Sequence, residues 1–278
     1  MNKVKTGPFI SFFLREYRQS QRNLEETFKK VVEHGFDFAT LNLSYPIMEK
    51  YTAKQIKKLI EDFDLKLACH GPYSLLLASL YEDTRQAMIK ISQSCIKFSD
   101  ILDAIYINFH FFEAPYFYIP FDEAKQIIAK QSWKSVKEIC NFVEKIETSV
   151  KITFETPPDK ISEDVSLVAE ALEPDNAYFL LDVGHAMRSS QDPLVYLRDE
   201  RIKAKTIACH LHDVKNNVDH YPVGDGILNW SLIRQTLKTL PNLRYGIFEC
   251  GDYDGNGNLT IANLPKIKQI QDSWLKIW

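Results

Sequence analysis

The sequence predicts a single (β/α)8 barrel over residues 1–278, and three observations carry that prediction. Eight short apolar runs alternate with longer amphipathic stretches from one end of the chain to the other. The runs lack the polar alternation of a half-exposed strand, the pattern of a parallel sheet buried on both faces. The length of 278 residues is ordinary for one such barrel, which takes about 250 residues. A doubly wound open sheet is the competing α/β architecture, and it usually has fewer strands.

In chain order the strands are expected at Pro8–Phe12, Phe36–Leu43, Lys66–His70, Ala104–Phe109, Lys151–Phe154, Tyr178–Asp182, Thr206–Leu211 and Tyr245–Glu249. Helical periodicity fills the intervals at Leu24–His34, Ala53–Phe63, Thr84–Leu102, Lys134–Glu147, Glu163–Leu172, Leu194–Arg198 and Leu232–Leu240, with Lys266–Trp278 closing the chain. No linker, low-complexity segment or charge block marks a second domain.

Composition narrows the function classes. Hydrophobic residues make up 45% and charged residues 26%, enough for a soluble core. The net charge of −3, without a strongly basic stretch, argues against nucleic acid as the partner. No apolar run approaches the roughly 20 residues that span a bilayer, so no membrane partner is expected. The N-terminal MNKVKTGPFISFF lacks the apolar core and cleavage site of a signal peptide. Five scattered cysteines, Cys69, Cys95, Cys140, Cys209 and Cys250, read as reduced thiols, which makes the cytoplasm the expected location.

The chemistry lies at the strand ends. His70 follows KLAC, His110 ends IYINF, Glu155 ends KITF and Asp182 ends AYFLL, with His185 three residues on. His210 and His212 follow KTIAC, and Glu249 ends RYGIF. In a barrel these C-terminal ends converge on one mouth, where active sites form. Carboxylates gathered there repel and lose hydration unless a cation sits among them. Carboxylate and imidazole together are ordinary ligands of Zn²⁺ or Mn²⁺, with Mg²⁺ or Co²⁺ as further options. Taken singly, each residue also reads as a satisfied core group, a turn or a helix cap; six alike do not. Cys69, Cys209 and Cys250 are immediate neighbours of His70, His210 and Glu249, so strand alternation turns the thiols toward the outer helices. Zinc ligation by cysteine lacks any Cys-x-x-Cys pair. His210 and His212 share a face, which leaves open which one is a ligand and whether His212 contacts substrate instead.

At these motifs the chain resembles the xylose isomerase-like barrel superfamily, which joins sugar isomerases and epimerases with endonuclease IV, of AP endonuclease family 2. HGPYSLLLAS, INFH, FETPP, LLDVGHAM, HLHDVKNNVDHYPVGDGILNW and FEC resemble its third to eighth strand segments in order, from Leu67 to Glu249. The resemblance implies one metal held by Glu155, Asp182, His210 and Glu249. It implies that the same two glutamates are catalytic, moving a proton at carbons beside a polarised carbonyl. His185 matches a substrate-oxygen contact, and His70, His110, His212 and His220 join it as candidate substrate contacts. Trp230 resembles a tryptophan of the isomerase branch, or equally a helix-start residue packed on the barrel.

Endonuclease IV holds three zincs, and by that resemblance His70, His110, His185 and His220 supply the extra imidazoles, with Glu155 bridging. The departure is at the third zinc, where an Asp-x-His pair is expected but Val218-Asp219-His220 stands. As a regular strand, Asp219 points roughly opposite to His220 unless the loop bulges. The expected partner is therefore a small molecule, a sugar or a sugar-like polyol or keto acid, converted by a metal-dependent isomerase or epimerase. Abasic DNA enters only with the nuclease alternative. A barrel that binds a ligand without turnover is a third class. The aromatics Phe111, Phe112, Tyr116, Phe117 and Tyr118 are read as a sugar-stacking surface, a homodimer contact or a rim-covering loop.

Overall fold

The computed structural model describes residues 4–8, 24–45, 47–112, 121–157, 164–250, 252–253, 259–260 and 264–276. Strands β1 (Lys5–Pro8), β2 (Ala39–Asn42), β3 (Leu67–His70), β4 (Tyr106–His110), β5 (Lys151–Glu155), β6 (Ala177–Asp182) and β7 (Thr206–His210) precede a hairpin of β8 (Asp213–Lys215) and β9 (Val218–Tyr221). Strand β10 (Tyr245–Phe248) follows, then the short pair β11 (Asp252–Tyr253) and β12 (Leu259–Thr260). The helices are α1 (Leu24–Glu33), α2 (Ile47–Lys50), α3 (Ala53–Asp62), α4 (Glu82–Ile101), α5 (Phe121–Ile146), α6 (Val165–Ala171), α7 (Val183–Ser190), α8 (Glu200–Lys205), α9 (Trp230–Leu237) and α10 (Leu264–Lys276).

Eight parallel strands run β1-β10-β7-β6-β5-β4-β3-β2 and curl into a nearly closed (β/α)8 barrel. The seam between β1 and β2 is stitched by Asp37. Its amide donates to the Thr6 carbonyl at 3.1 Å, and its carboxylate accepts from the Thr6 amide at 2.9 Å. Gly7 makes this approach possible, since a Cβ there would lie 2.2 Å from the Phe38 carbonyl oxygen.

Strand alternation divides the side chains as expected. Phe109 and Phe154 are wholly buried, their rings 6.5 Å apart, while their neighbours His110 and Glu155 stand at the strand ends. Each such ring contributes roughly 1.5–3 kcal/mol by leaving water. Helix α3 begins with a reciprocal cap: Thr52 Oγ1 accepts from the Gln55 amide at 3.3 Å, and Gln55 Oε1 accepts from the Thr52 amide at 2.8 Å.

Three expectations are corrected, and two elements come in addition. The first strand is Lys5–Pro8, earlier than Pro8–Phe12, because polar Lys5 and Thr6 pair with Tyr245 and Gly246; residues 9–12 lie outside the described ones. The helix expected at Lys134–Glu147 begins at Phe121. Leu194–Arg198 holds only a 3-10 turn at Val195–Arg198, with α8 after it. Helix α7 and the β8–β9 hairpin, both beside the barrel mouth, were not anticipated. Among the described residues, no helix is long and apolar enough to cross a membrane.

Candidate metal centre

Level strand ends bring the ionisable groups together. His110 pairs in register with Glu155, and Asp182 with His210; Glu249 follows directly on β10. Glu155, Asp182, His210 and Glu249 are all buried, and one ligating atom from each lies within 4.8 Å of the others.

Around His210 three carboxylates crowd one ring nitrogen. Its Nδ1 lies 2.5 Å from Glu249 Oε2, 3.2 Å from Glu155 Oε1 and 3.3 Å from Asp182 Oδ2. One N–H cannot serve three carboxylates, and neither Glu155 Oε1 nor Glu249 Oε2 is aligned as a hydrogen-bond acceptor. Three buried carboxylates on one nitrogen need positive charge among them. The donor set, three oxygens and one imidazole nitrogen, fits a divalent ion.

The three carboxylates of this group are held in place by neighbouring side chains and backbone. Glu155 Oε2 accepts from the Asn108 side-chain amide and lies 3.1 Å from His70 Nε2 and 3.3 Å from His110 Nε2. Thr153 Oγ1 fixes Asn108 in turn at 2.9 Å. His70 Nδ1 donates to the Gly71 carbonyl at 2.6 Å, which directs Nε2 at Glu155. Asp182 also caps α7, accepting from the His185 amide at 2.7 Å. The cap reading and the ligand reading of Asp182 are therefore compatible. At the opening, Tyr73 donates its hydroxyl to Glu249 Oε1 at 3.3 Å, its ring 5.0 Å from that of His70.

Electrostatics report the same clustering. Burial works against every charge here, yet Asp182 and Glu155 hold the His185 imidazole up at about 9. Burial likewise opposes a charged His210, while Glu249 and Glu155 raise its pKa well above the usual imidazole range. Glu155 is correspondingly held low by His210 and His110, and Asp182 by His185 and His212, against their desolvation.

Two further groups could hold a metal ion. His70, His110 and Glu155 form one around the other oxygen of Glu155. The other, His212, His220 and Glu249, fails on hydrogen bonding. His212 Nδ1 already accepts the His220 amide at 2.9 Å, and its Nε2 lies 2.9 Å from both Asp182 oxygens. Both nitrogens of the buried His212 are committed inward. His185 sets Nδ1 against the Thr156 carbonyl and Glu155 Oε1, both at 3.2 Å, and Nε2 3.9 Å from Asp219.

The hairpin is irregular, the case in which strand alternation does not set the direction of Asp219. The β8–β9 register shifts between Asp213 and Lys215, and His220 adopts φ 64°, so Asp219 and His220 turn to the same side. Asp219 Oδ1 lies 3.0 Å from His220 Nδ1, and Oδ2 accepts from Arg188 at 2.6 Å. Val218 is exposed. Trp230 opens α9 and donates to Asp213 Oδ2 at 2.8 Å, which places it in the loop scaffold. Phe111 and Phe112 are buried ring against ring at 4.8 Å, while Tyr116, Phe117 and Tyr118 lie outside the described residues.

All five cysteines are buried free thiols outside these groups, and burial pushes those of Cys69 and Cys209 up to about 12. Asn108, Tyr73, Arg188 and Asp213 were not picked out from the sequence. Asn108 was legible in principle, two residues before His110 on the same strand face. Arg188 was not, since nothing marked α7 as a helix.

Comparison with known proteins agrees with the fold. The description "Xylose isomerase-like TIM barrel" matches residues 28–270, and the chain belongs to that family. It is 24% identical over 204 residues to an inosose dehydratase of Clostridium tetani (strain Massachusetts / E88), covering 72% of this chain and 66% of that protein. The crystal structure of a D-tagatose 3-epimerase-like protein is similar at TM-score 0.75 and 20% identity, over 99% of this chain and 98% of that one. An AP endonuclease, family 2, from Brucella melitensis is similar at TM-score 0.64 and 14% identity, over 89% of this chain and 93% of that one.

Proposed function

With that family as premise, we propose that the chain is a divalent-metal-dependent isomerase or epimerase of a sugar or sugar-like small molecule. The observation that carries this is the convergence of Glu155 Oε1 and Glu249 Oε2 on one His210 nitrogen, with Asp182 beside them. Glu155, Asp182, His210 and Glu249 would hold the ion, Mn²⁺ or Zn²⁺ (Mg²⁺ or Co²⁺ also suit such donors). When bound, such an ion polarises a carbonyl oxygen and lowers the cost of removing a proton from the adjacent carbon.

The protein's own groups do the rest. Glu155 and Glu249, on either side of His210, are the carboxylates that take and return the carbon-bound proton. Tyr73 and His220, partly exposed at the opening beside Glu249, offer hydrogen bonds to substrate hydroxyls, and His70, His110 and His185 back Glu155 from the other side. Removing a proton beside a carbonyl begins epimerisation, isomerisation and loss of a β-hydroxyl alike. The names of the epimerase-like and dehydratase relatives are thus compatible with one first step. The buried free cysteines support a cytoplasmic location.

A second reading, zinc phosphodiesterase action at abasic DNA, draws on Asp219. Its carboxylate reaches His220 and approaches His185, the set expected around a third ion. Arg188, however, already supplies that carboxylate with positive charge at 2.6 Å.

Metal analysis of the purified protein separates the readings: about one equivalent of ion fits the isomerase, three the nuclease. With Mn²⁺ supplied, a panel of ketoses in D₂O should show exchange of a carbon-bound proton. Three tightly bound ions with efficient, salt-sensitive cleavage of an abasic duplex would overturn the proposal.

A further inference from the structure

We infer that His212 is a positioning residue that couples the orientation of Asp182 to the β8–β9 hairpin. The inference rests on the proposed metal reading, in which Asp182 is a ligand. Its starting point is a tautomer fixed by geometry. A backbone amide can only donate, so His212 Nδ1, 2.9 Å from the His220 N–H, carries the lone pair. The ring proton then sits on Nε2 and is donated to Asp182, whose two oxygens both lie at 2.9 Å. Neither nitrogen is left to bind metal or substrate. The ring is locked sideways as well. It stacks on His220 at 4.5 Å and 11°, and it occupies the space where a Cβ of residue 184 would stand, 2.1 Å from Cε1.

One imidazole therefore ties a buried carboxylate of the metal centre to the backbone of a residue in the left-handed region, where the hairpin turns Asp219 and His220 inward. Partners of this kind commonly contribute 10–100-fold to metal affinity.

Two near-isosteric replacements divide the roles. The amide of glutamine reaches the place of Nε2, and that of asparagine the place of Nδ1. His212→Asn keeps an acceptor for the His220 amide but removes the donor to Asp182. Its affinity for Mn²⁺, by calorimetric titration, should fall about 10–100-fold, while tryptic cleavage after exposed Lys215 stays near the wild-type rate. His212→Gln keeps the donor but frees the His220 amide. It should bind Mn²⁺ close to wild type and be cut after Lys215 several-fold faster. Circular dichroism establishes that both variants fold; a variant that does not fold with the donor kept, in His212→Gln, counts against the division. Wild-type affinity in His212→Asn, or equal metal loss in both variants, overturns the inference alone. A wild-type protein that binds no divalent ion overturns the metal reading, and the inference with it.

Discussion

Gly184→Ala is a severe test of the site's packing, because local and tertiary terms have opposite signs. Gly184 is the second residue of α7, where alanine would favour the helix by up to about 1 kcal/mol. A Cβ there, however, would lie 2.1, 2.6 and 3.0 Å from Cε1, Nδ1 and Nε2 of His212. Ordinary carbon contacts begin near 3.5 Å, so the ring must retreat by about 1.5 Å. His212 cannot retreat that far and keep 2.9 Å bonds to both the His220 amide and Asp182. Overpacking of this kind costs about 1–3 kcal/mol, and a hydrogen bond to a buried charge about 1.5–3 kcal/mol. Net of the helical gain, a loss of about 1.5–5 kcal/mol is expected, or roughly 3–9 °C in Tm for a chain of this size. Thermal and urea unfolding measure it, with Gly224→Ala as control: φ is 94° there and nothing lies within 4 Å, so only backbone strain acts. An unchanged or raised Tm in Gly184→Ala would refute the packing argument.

Glu249→Gln should lower Mn²⁺ affinity at least about 100-fold, beyond the effect usual for a supporting partner; tight binding retained in calorimetry would remove Glu249 from the ligand set. Joint replacement of Cys69, Cys209 and Cys250 by alanine should leave metal content unchanged at a modest stability cost, and metal loss in a folded variant would contradict the outward placement of the thiols. The metal-stripped protein should be pH-sensitive through His185, held at about 9 against 6.5 for the free side chain. The folded pKa is the higher one, so the stabilisation is full below pH 6.5 and fades as pH rises through 9, by about 3 kcal/mol. Denaturant titrations across that window check it; stability that rises with pH would show that His185 is neutral among the carboxylates.

The sequence by itself determined the barrel and the ring of ionisable groups at its mouth. Strands such as LACH, YINFH and AYFLLD are recognisable because burial on both faces writes an apolar run that ends where the mouth begins. The conspicuous residue after each run is then a site candidate, and the choice of Glu155, Asp182, His210 and Glu249 among those candidates came from the family resemblance. What each histidine does could not. His212 shares a strand-like face with His210, yet it is spent on Asp182, 30 residues earlier, and on the amide of His220. Alternation placed Asp219 only for an unbulged loop, and a register shift with one left-handed residue turns it toward Arg188, 31 residues away. Periodicity records which side of an element is dry, a property of neighbouring residues. A ring's tautomer and a carboxylate's partner are set by groups that only the closed barrel brings within 3 Å.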